Sequence, residues 1–302
     1  LTVAPEAFEP TDMALDRLPP EQWWPAGNPA IARRRVTLAD GTDMRVLEAG
    51  PSSGRPVVLV HGWAVTAYLW RYNIEALARA GYHVFACDMP GHGLSDAPQA
   101  KGSYTLEVQA GRLLQLFDAL GLERPTVVAQ SMGGRVAFEA ALAGRVERLV
   151  LFGAVGFGHV RPARELVPFI PDMRGELLSY LFPRSAVELV QRRVYGKIGW
   201  FTERDIDEYW APSQFPEILR AQLQMLREFT WSPLAPRVVA RCPVPTLVVF
   251  GTDDRTVRPD VAAGLVAAMP RARLTLVEGG GHVVMEESPD RINALLLGFL
   301  AE

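Results

Sequence analysis

A β-branched run that ends on a serine set among small residues leaves this chain few ways to fold. Residues 127–134 read Val-Val-Ala-Gln-Ser-Met-Gly-Gly, followed by a segment with helical character. A serine on a sharp strand-to-helix turn projects its hydroxyl into open space. The strand and the helix nearly collide there, so the positions two before and two after the serine must be small. Those positions are Ala129 and Gly133. The usual pattern, Gly-x-Ser-x-Gly, has its first glycine replaced by alanine. An ordinary helix N-cap serine would look similar in isolation, so the rest of the chain has to decide.

Further strands are marked by short apolar runs. Pro56 to Val60, His83 to Cys87, Arg148 to Phe152, Pro245 to Phe250 and Arg273 to Val277 are such runs. Arg35 to Leu38 and Met44 to Ala49 form a hairpin pattern around Asp40-Gly41. Helical patterns lie between them: Leu69 to Ala80, Leu106 to Leu120 with Gly121 as a stop, and Ser131 to about Ala143 with Gly144 as a stop. Buried strands alternating with helices predict an α/β fold, a mostly parallel sheet covered on both faces.

Bulk properties narrow the function classes. With 302 residues and 49% hydrophobic content, the chain can bury a large core in one or two domains. The net charge of −3 and the lack of a basic stripe argue against a nucleic-acid partner. Cys87 and Cys242 are isolated and sit beside apolar strands, which fits packing better than a disulfide framework or a zinc site. No apolar run is long enough to span a bilayer. The acidic, Pro-rich start (Glu6, Glu9, Asp12) does not read as a secretory signal, and with few cysteines this favours a cytoplasmic location.

The alternation breaks after Phe152. From Phe157 to Pro236 no strand is predicted, and Ser185-x-x-Glu188 and Thr202-x-x-Asp205 have the form of capping boxes that start helices. The predicted organisation is an irregular arm over 1–32, an α/β core over 33–156 and 237–302, and a helical lid over 157–236. The lid holds Phe157, Phe169, Tyr180, Phe182, Tyr195, Trp200, Phe201, Tyr209, Trp210, Phe215, Phe229 and Trp231. Most would pack the lid onto the core, and a minority would line an apolar pocket. Trp210 and Phe215 are taken as first tests of that lining. Trp23 and Trp24 should fasten the arm to the body or to the site entrance.

Five segments in order carry a resemblance: His61-Gly62-Trp63 after one strand, Asp88-Met89-Pro90-Gly91-His92-Gly93-Leu94-Ser95-Asp96 after another, the Ser131 turn, Phe250-Gly251-Thr252-Asp253-Asp254, and Gly279-Gly280-Gly281-His282. From about residue 35 to 302 the chain resembles the α/β-hydrolase superfamily, in its serine carboxylesterase-like form with a helical lid. The resemblance implies Ser131 as nucleophile and His282 as base. His61, His83 and His92 then have structural roles, and His159 opens the lid where it could touch substrate. Asp253 and Asp254 compete for the acid. The residue three after Gly251 is Asp254, which the resemblance favours, and the order Ser131, Asp254, His282 is the superfamily's own. The alternative acid position in the superfamily falls on Gly153-Ala154-Val155, which holds no carboxylate. The backbone N–H groups of Trp63 and Met132 would receive the developing oxyanion. Trp63, Val257 and Val283 would contact substrate. Asp88 to Asp96, tempting as a carboxylate pair, would be a structural loop.

The implied activity is hydrolysis of carboxylic esters through an acyl-enzyme, on a small-molecule ester or lactone, with no metal or organic cofactor. The same constellation serves lactonases, hydrolases of carbon–carbon bonds in ring-cleavage products, and cofactor-free perhydrolases. A serine nucleophile argues against dehalogenases and epoxide hydrolases, which use an aspartate. A small-molecule receptor on a hydrolase body is the reading from another class.

Overall fold

The computed structural model describes residues 17–160, 179 and 182–302. Its first half lays down strands β1 (Ile31–Thr37), β2 (Asp43–Ala49), β3 (Pro56–Val60), β4 (His83–Cys87), β5 (Thr126–Gln130) and β6 (Leu149–Phe152). Helices α1 (Arg71–Arg79), α2 (Leu106–Ala119) and α3 (Ser131–Leu142) fall among them. A two-residue strand β7 (His159–Val160) follows, then helices α4 (Arg184–Val194), α5 (Glu203–Trp210), α6 (Pro216–Glu228) and α7 (Pro236–Val239). The chain finishes with β8 (Thr246–Gly251), β9 (Val257–Arg258), α8 (Ala262–Ala267), β10 (Ala272–Val277), α9 (Val284–Glu287) and α10 (Pro289–Ala301).

Eight strands form one sheet in the order β1-β2-β4-β3-β5-β6-β8-β10. The β1–β2 and β2–β4 pairs are antiparallel, and every pairing from β4 to β10 is parallel. The hairpin turns at Gly41, whose φ of +83° a glycine tolerates. The period of two assigns each strand residue to a face. Val58, Val60, Val127 and Ala129 join the apolar cluster on one side. Val57, Leu59 and Val128 join that on the other. Both faces are covered, which is why β3, β5 and β6 read as unbroken apolar runs.

Helices α4 to α6 stand between β6 and β8, as the missing strand signal predicts, with two local differences. The stretch contains β7, which pairs with β9. The cap of α4 is Pro183 and not Ser185: Pro183 holds an extended backbone and α4 begins directly after it, so Ser185 is already helical. Thr202, in contrast, forms the full capping box. Its Oγ1 accepts the Asp205 N–H at 3.2 Å, and the Asp205 carboxylate accepts the Thr202 N–H at 2.7 Å.

The N-terminal segment runs over these helices. Trp23 is buried among Ala211, Phe215 and Ile218. The Trp24 N–H donates to Glu208 at 2.9 Å, and its ring meets Tyr68 edge-on. Arg17 lies over the Trp210 ring. β1 begins inside the stretch expected to be an irregular arm. Residues 1–16, and Phe169 and Tyr180 among the aromatics named above, lie outside the described residues. Among the described residues no helix is long and apolar enough to cross a membrane.

Candidate active site

β5 delivers Ser131 to the start of α3 in a left-handed conformation, φ +52°. Only Ala64 shares that property among the described non-glycine residues, and it follows Trp63 on the neighbouring loop. Sparse backbone regions of this kind persist only where surrounding structure holds them. Crowding explains the small residues. A Cβ on Gly133 would stand 2.3 Å from the His61 carbonyl oxygen, and one on Gly62 2.9 Å from the Ser131 Cβ. Ala129 is fully buried, and its methyl is accommodated in the core cluster.

The loop after β10 brings His282 to the same place. Its Nδ1 lies 2.7 Å from Asp254 Oδ2. Asp254 sits beyond β8, and its other oxygen accepts the N–H groups of Thr256 (2.8 Å) and Val257 (2.9 Å). The carboxylate is therefore fixed in orientation before it meets the imidazole. Asp253 turns away to Lys197, 2.8 Å distant, and the hydrogen bond from Lys197 holds its carboxyl below the usual range. The neighbouring aspartates are thus separated by geometry. Gly153, at the end of β6, was absent from the sequence expectations as a site residue. A Cβ there would lie 2.9 Å from His282 Nδ1 and 3.0 Å from Asp254 Oδ2. The glycine following the Leu149–Phe152 run was the signal available.

The His282 backbone is tied on both sides. Its N–H donates to the Val194 carbonyl at the end of α4 (2.7 Å), and its carbonyl accepts from Gln130 Nε2 (3.3 Å). The Glu287 carboxylate accepts N–H groups from Gly281 and Gly196, each at 2.8 Å, and burial pushes its pKa up. The Lys197 N–H donates to the Gly279 carbonyl at 2.7 Å.

The other histidines have structural surroundings. His61 Nε2 accepts the Met89 N–H at 2.9 Å, and its ring meets that of His92 at 4.8 Å. Burial lowers the pKa of both, that of His92 to about 3. His83 pairs with Glu48 at 2.6 Å. His159 departs from its expected place. It is half exposed, with Nδ1 3.0 Å from Asp260, while Val160 lines the cavity described below. Successive strand residues point to opposite sides, and β7 turns the histidine outward. Asp88 braces its loop by accepting from the Ala67 and Leu94 N–H groups and from Arg45.

Ser131 and His282 open onto a cavity of about 430 Å³. The core supplies Trp63, Ala64, Gln130, Val257 and Val283, and the helices between β6 and β8 supply Val187, Val190, Gln191, Leu219, Leu223 and Leu226. The expected contacts Trp63, Val257 and Val283 are all in its wall. Phe182, Tyr209 and Trp231 join Trp63 as aromatics of the wall. Trp210 and Phe215, taken above as first tests of the lining, pack instead against Phe182, Trp23 and the N-terminal segment. The Trp63 indole donates to the Gln222 carbonyl at 3.0 Å. The backbone N–H groups of Trp63 and Met132 have no hydrogen-bond partner among the described residues.

One wall holds a buried polar cluster with no counterpart in the sequence reading. Arg71 pairs with Asp205 (2.8 Å) and with Glu286. Tyr195 and Tyr209 donate to Glu286, and Tyr68 donates to Asp205 at 2.7 Å. Arg71, Tyr68 and Glu286 belong to the sheet-bearing part, the others to α5 and the chain before it. Among the described residues, no group of three or more His, Cys, Asp or Glu side chains is placed to hold a metal ion.

Comparison with known proteins adds relatives. A family model for the alpha/beta hydrolase fold matches residues 55–289. The chain is 31% identical over 289 residues to a 2-hydroxy-6-oxononadienedioate/2-hydroxy-6-oxononatrienedioate hydrolase of Burkholderia vietnamiensis, covering 87% of this chain and 93% of that one. It is 28% identical over 314 residues to epoxide hydrolase A of Mycobacterium tuberculosis, covering 88% and 96%. Among solved structures, a serine hydrolase involved in carbazole degradation aligns with a TM-score of 0.75 at 25% identity, covering 90% of this chain and 99% of that one.

Proposed function

The chain belongs to the α/β-hydrolase fold family, and from that premise we propose that it is a serine hydrolase cleaving carboxylic esters through an acyl-enzyme. One observation carries the reading: a left-handed Ser131 and an Asp254-bound His282 open onto one largely apolar cavity. With Nδ1 engaged by Asp254, Nε2 is the nitrogen left to take the Ser131 proton. Ser131 attacks the acyl carbonyl, and the oxyanion is received by the N–H groups of Trp63 and Met132. His282 returns the proton to the departing alcohol, then activates water to release the acid. Lactones, being internal esters, follow the same route. The helices from α4 to α6 act as a lid that sets substrate size.

The relative from Burkholderia vietnamiensis is named for a dioate, and carbon–carbon bond hydrolysis is the alternative on the same residues. Two carboxylates would each need a cation. Among the described lining residues Arg193 is the one cation, and the Glu286 carboxylate is already engaged. That favours a substrate of lower charge. The relative named as an epoxide hydrolase shares the fold, and a serine at position 131 supports ester chemistry over epoxide opening.

The test is turnover of simple aryl esters. Ser131→Ala should lose on the order of 10⁴-fold in kcat while folding normally, and a fluorophosphonate should add its mass at Ser131. Labelling at another residue, or activity retained in the variant, overturns the assignment.

A further inference from the structure

Helix α4 turns one face to the interior, where Val187 and Gln191 are its buried residues. An apolar stripe at i, i+4 calls for an aliphatic side chain at the second position. Gln191 stands there instead, 3% exposed, between Val187 and Val194 in the cavity wall. Its Oε1 is buried with no hydrogen-bond partner, and its side-chain amide makes none to any described residue. Among the other polar groups of the wall, Tyr209 donates to Glu286 and the Ser213 hydroxyl donates to the Trp210 carbonyl, while the Thr256 hydroxyl, on the core side, is also buried without a partner. A buried acceptor without a donor is costly, whereas a leucine of similar shape would cost nothing of the kind. Gln191 is one of the residues that line the cavity.

We propose that Gln191 is a specificity residue whose side-chain oxygen accepts a hydrogen bond from a hydroxyl or N–H on the substrate, away from the scissile carbonyl. The preferred substrates are then apolar esters bearing one such donor on an otherwise hydrocarbon chain. This rests on the ester reading given above. A wall built to bond a donor rejects the analogue that lacks it, because the buried acceptor is left unpaired.

Matched esters provide the test. One series consists of p-nitrophenyl esters of straight-chain acids ending in methyl, methoxy or hydroxyl. The other consists of butyrate esters of α,ω-diols and of their mono-methyl ethers. Methoxy keeps the oxygen but has no proton to give. In at least one series kcat/KM should favour hydroxyl over methoxy by about tenfold. Gln191→Leu should bring that ratio to one or below, and Gln191→Glu, which keeps an acceptor, should retain it. The Tm of Gln191→Leu should stay level or rise. A ratio near one for the unaltered enzyme throughout both series, or a preference that survives Gln191→Leu, overturns the proposal. Binding to Ser131→Ala, followed by tryptophan fluorescence with 1,8-octanediol and its mono-methyl ether, separates this from the ester reading. If no ester turns over but the diol binds more tightly only when Gln191 is present, the ester reading fails and Gln191 stands. Equal binding of the two with Gln191 in place removes the proposal.

Discussion

At Asp253-Asp254, adjacent carboxylates have different fates, and the difference is measurable. Asp254 is buried and clamped by two N–H groups against His282, while Asp253 reaches out to Lys197. Asp254→Asn should lower kcat by roughly 10⁴-fold, because an amide favours the wrong imidazole tautomer. Asp253→Asn breaks a surface ion pair and should change kcat by less than about threefold. The reverse ranking in steady-state kinetics would exchange their roles. Gly153→Ala tests the same pair from above. Its methyl would crowd both the His282 ring and the Asp254 carboxylate, on a backbone of φ +49° that alanine resists. Activity should fall more than tenfold, with KM for short esters little changed. These residues differ in how far sequence exposes them. Ser131 and His282 stand in punctuated loops after apolar strands, so their surroundings announce them. Gly153 carries no chemistry of its own, and only the pair pressing on it gives it a role. His159 was misplaced because a two-residue strand has too little pattern to show which side it faces.

Among the elements, the central strands β3, β5, β6 and β8 were readable because burial on both faces writes them as continuous apolar runs. The helices between β6 and β8 were readable as helices, but not by which side faces inward. Trp210 and Phe215 look like pocket residues by size alone, yet they hold the N-terminal segment. The side chains that these helices turn to the cavity are largely aliphatic, and one of them is Leu223 on α6. Leu223→Ala should reduce kcat/KM for octanoate esters about tenfold, from a few lost methylene contacts, and leave acetate esters within a factor of two. Trp210→Ala and Phe215→Ala should lower Tm and leave the octanoate-to-acetate ratio unchanged. A lid variant series in which that ratio never moves would assign size selection to the core loops alone.

Over the whole molecule, buried histidines make stability depend on pH. His61 and His92 are held neutral by burial, His92 down to about pH 3, whereas an unfolded histidine takes up its proton near pH 6.5. Below that value the unfolded chain binds more protons than the native one, so stability is complete above about pH 6.5 and falls as the medium becomes more acid. Glu208 and Glu287, whose pKa values are raised by burial, act in the opposite sense. Between pH 6.5 and 5 the histidines should dominate: Tm should drop over this range, and His92→Asn should flatten the slope. An unchanged slope would place the acid sensitivity elsewhere. Contacts of this range, like those of Trp23 and Arg71, join residues far apart in the chain and leave no local pattern to read. The bonds around His282 carry one more consequence. Its N–H rests on the Val194 carbonyl of a helix that also walls the cavity, and Glu287 spans Gly196 and Gly281. A swing of that helix away from the core would break the His282 N–H bond in the same movement and leave Asp254 and Gln130 to hold the residue. On the ester reading, a lid that moved would tie admission to reactivity, because the base hangs in part on the moving element's own hydrogen bonds.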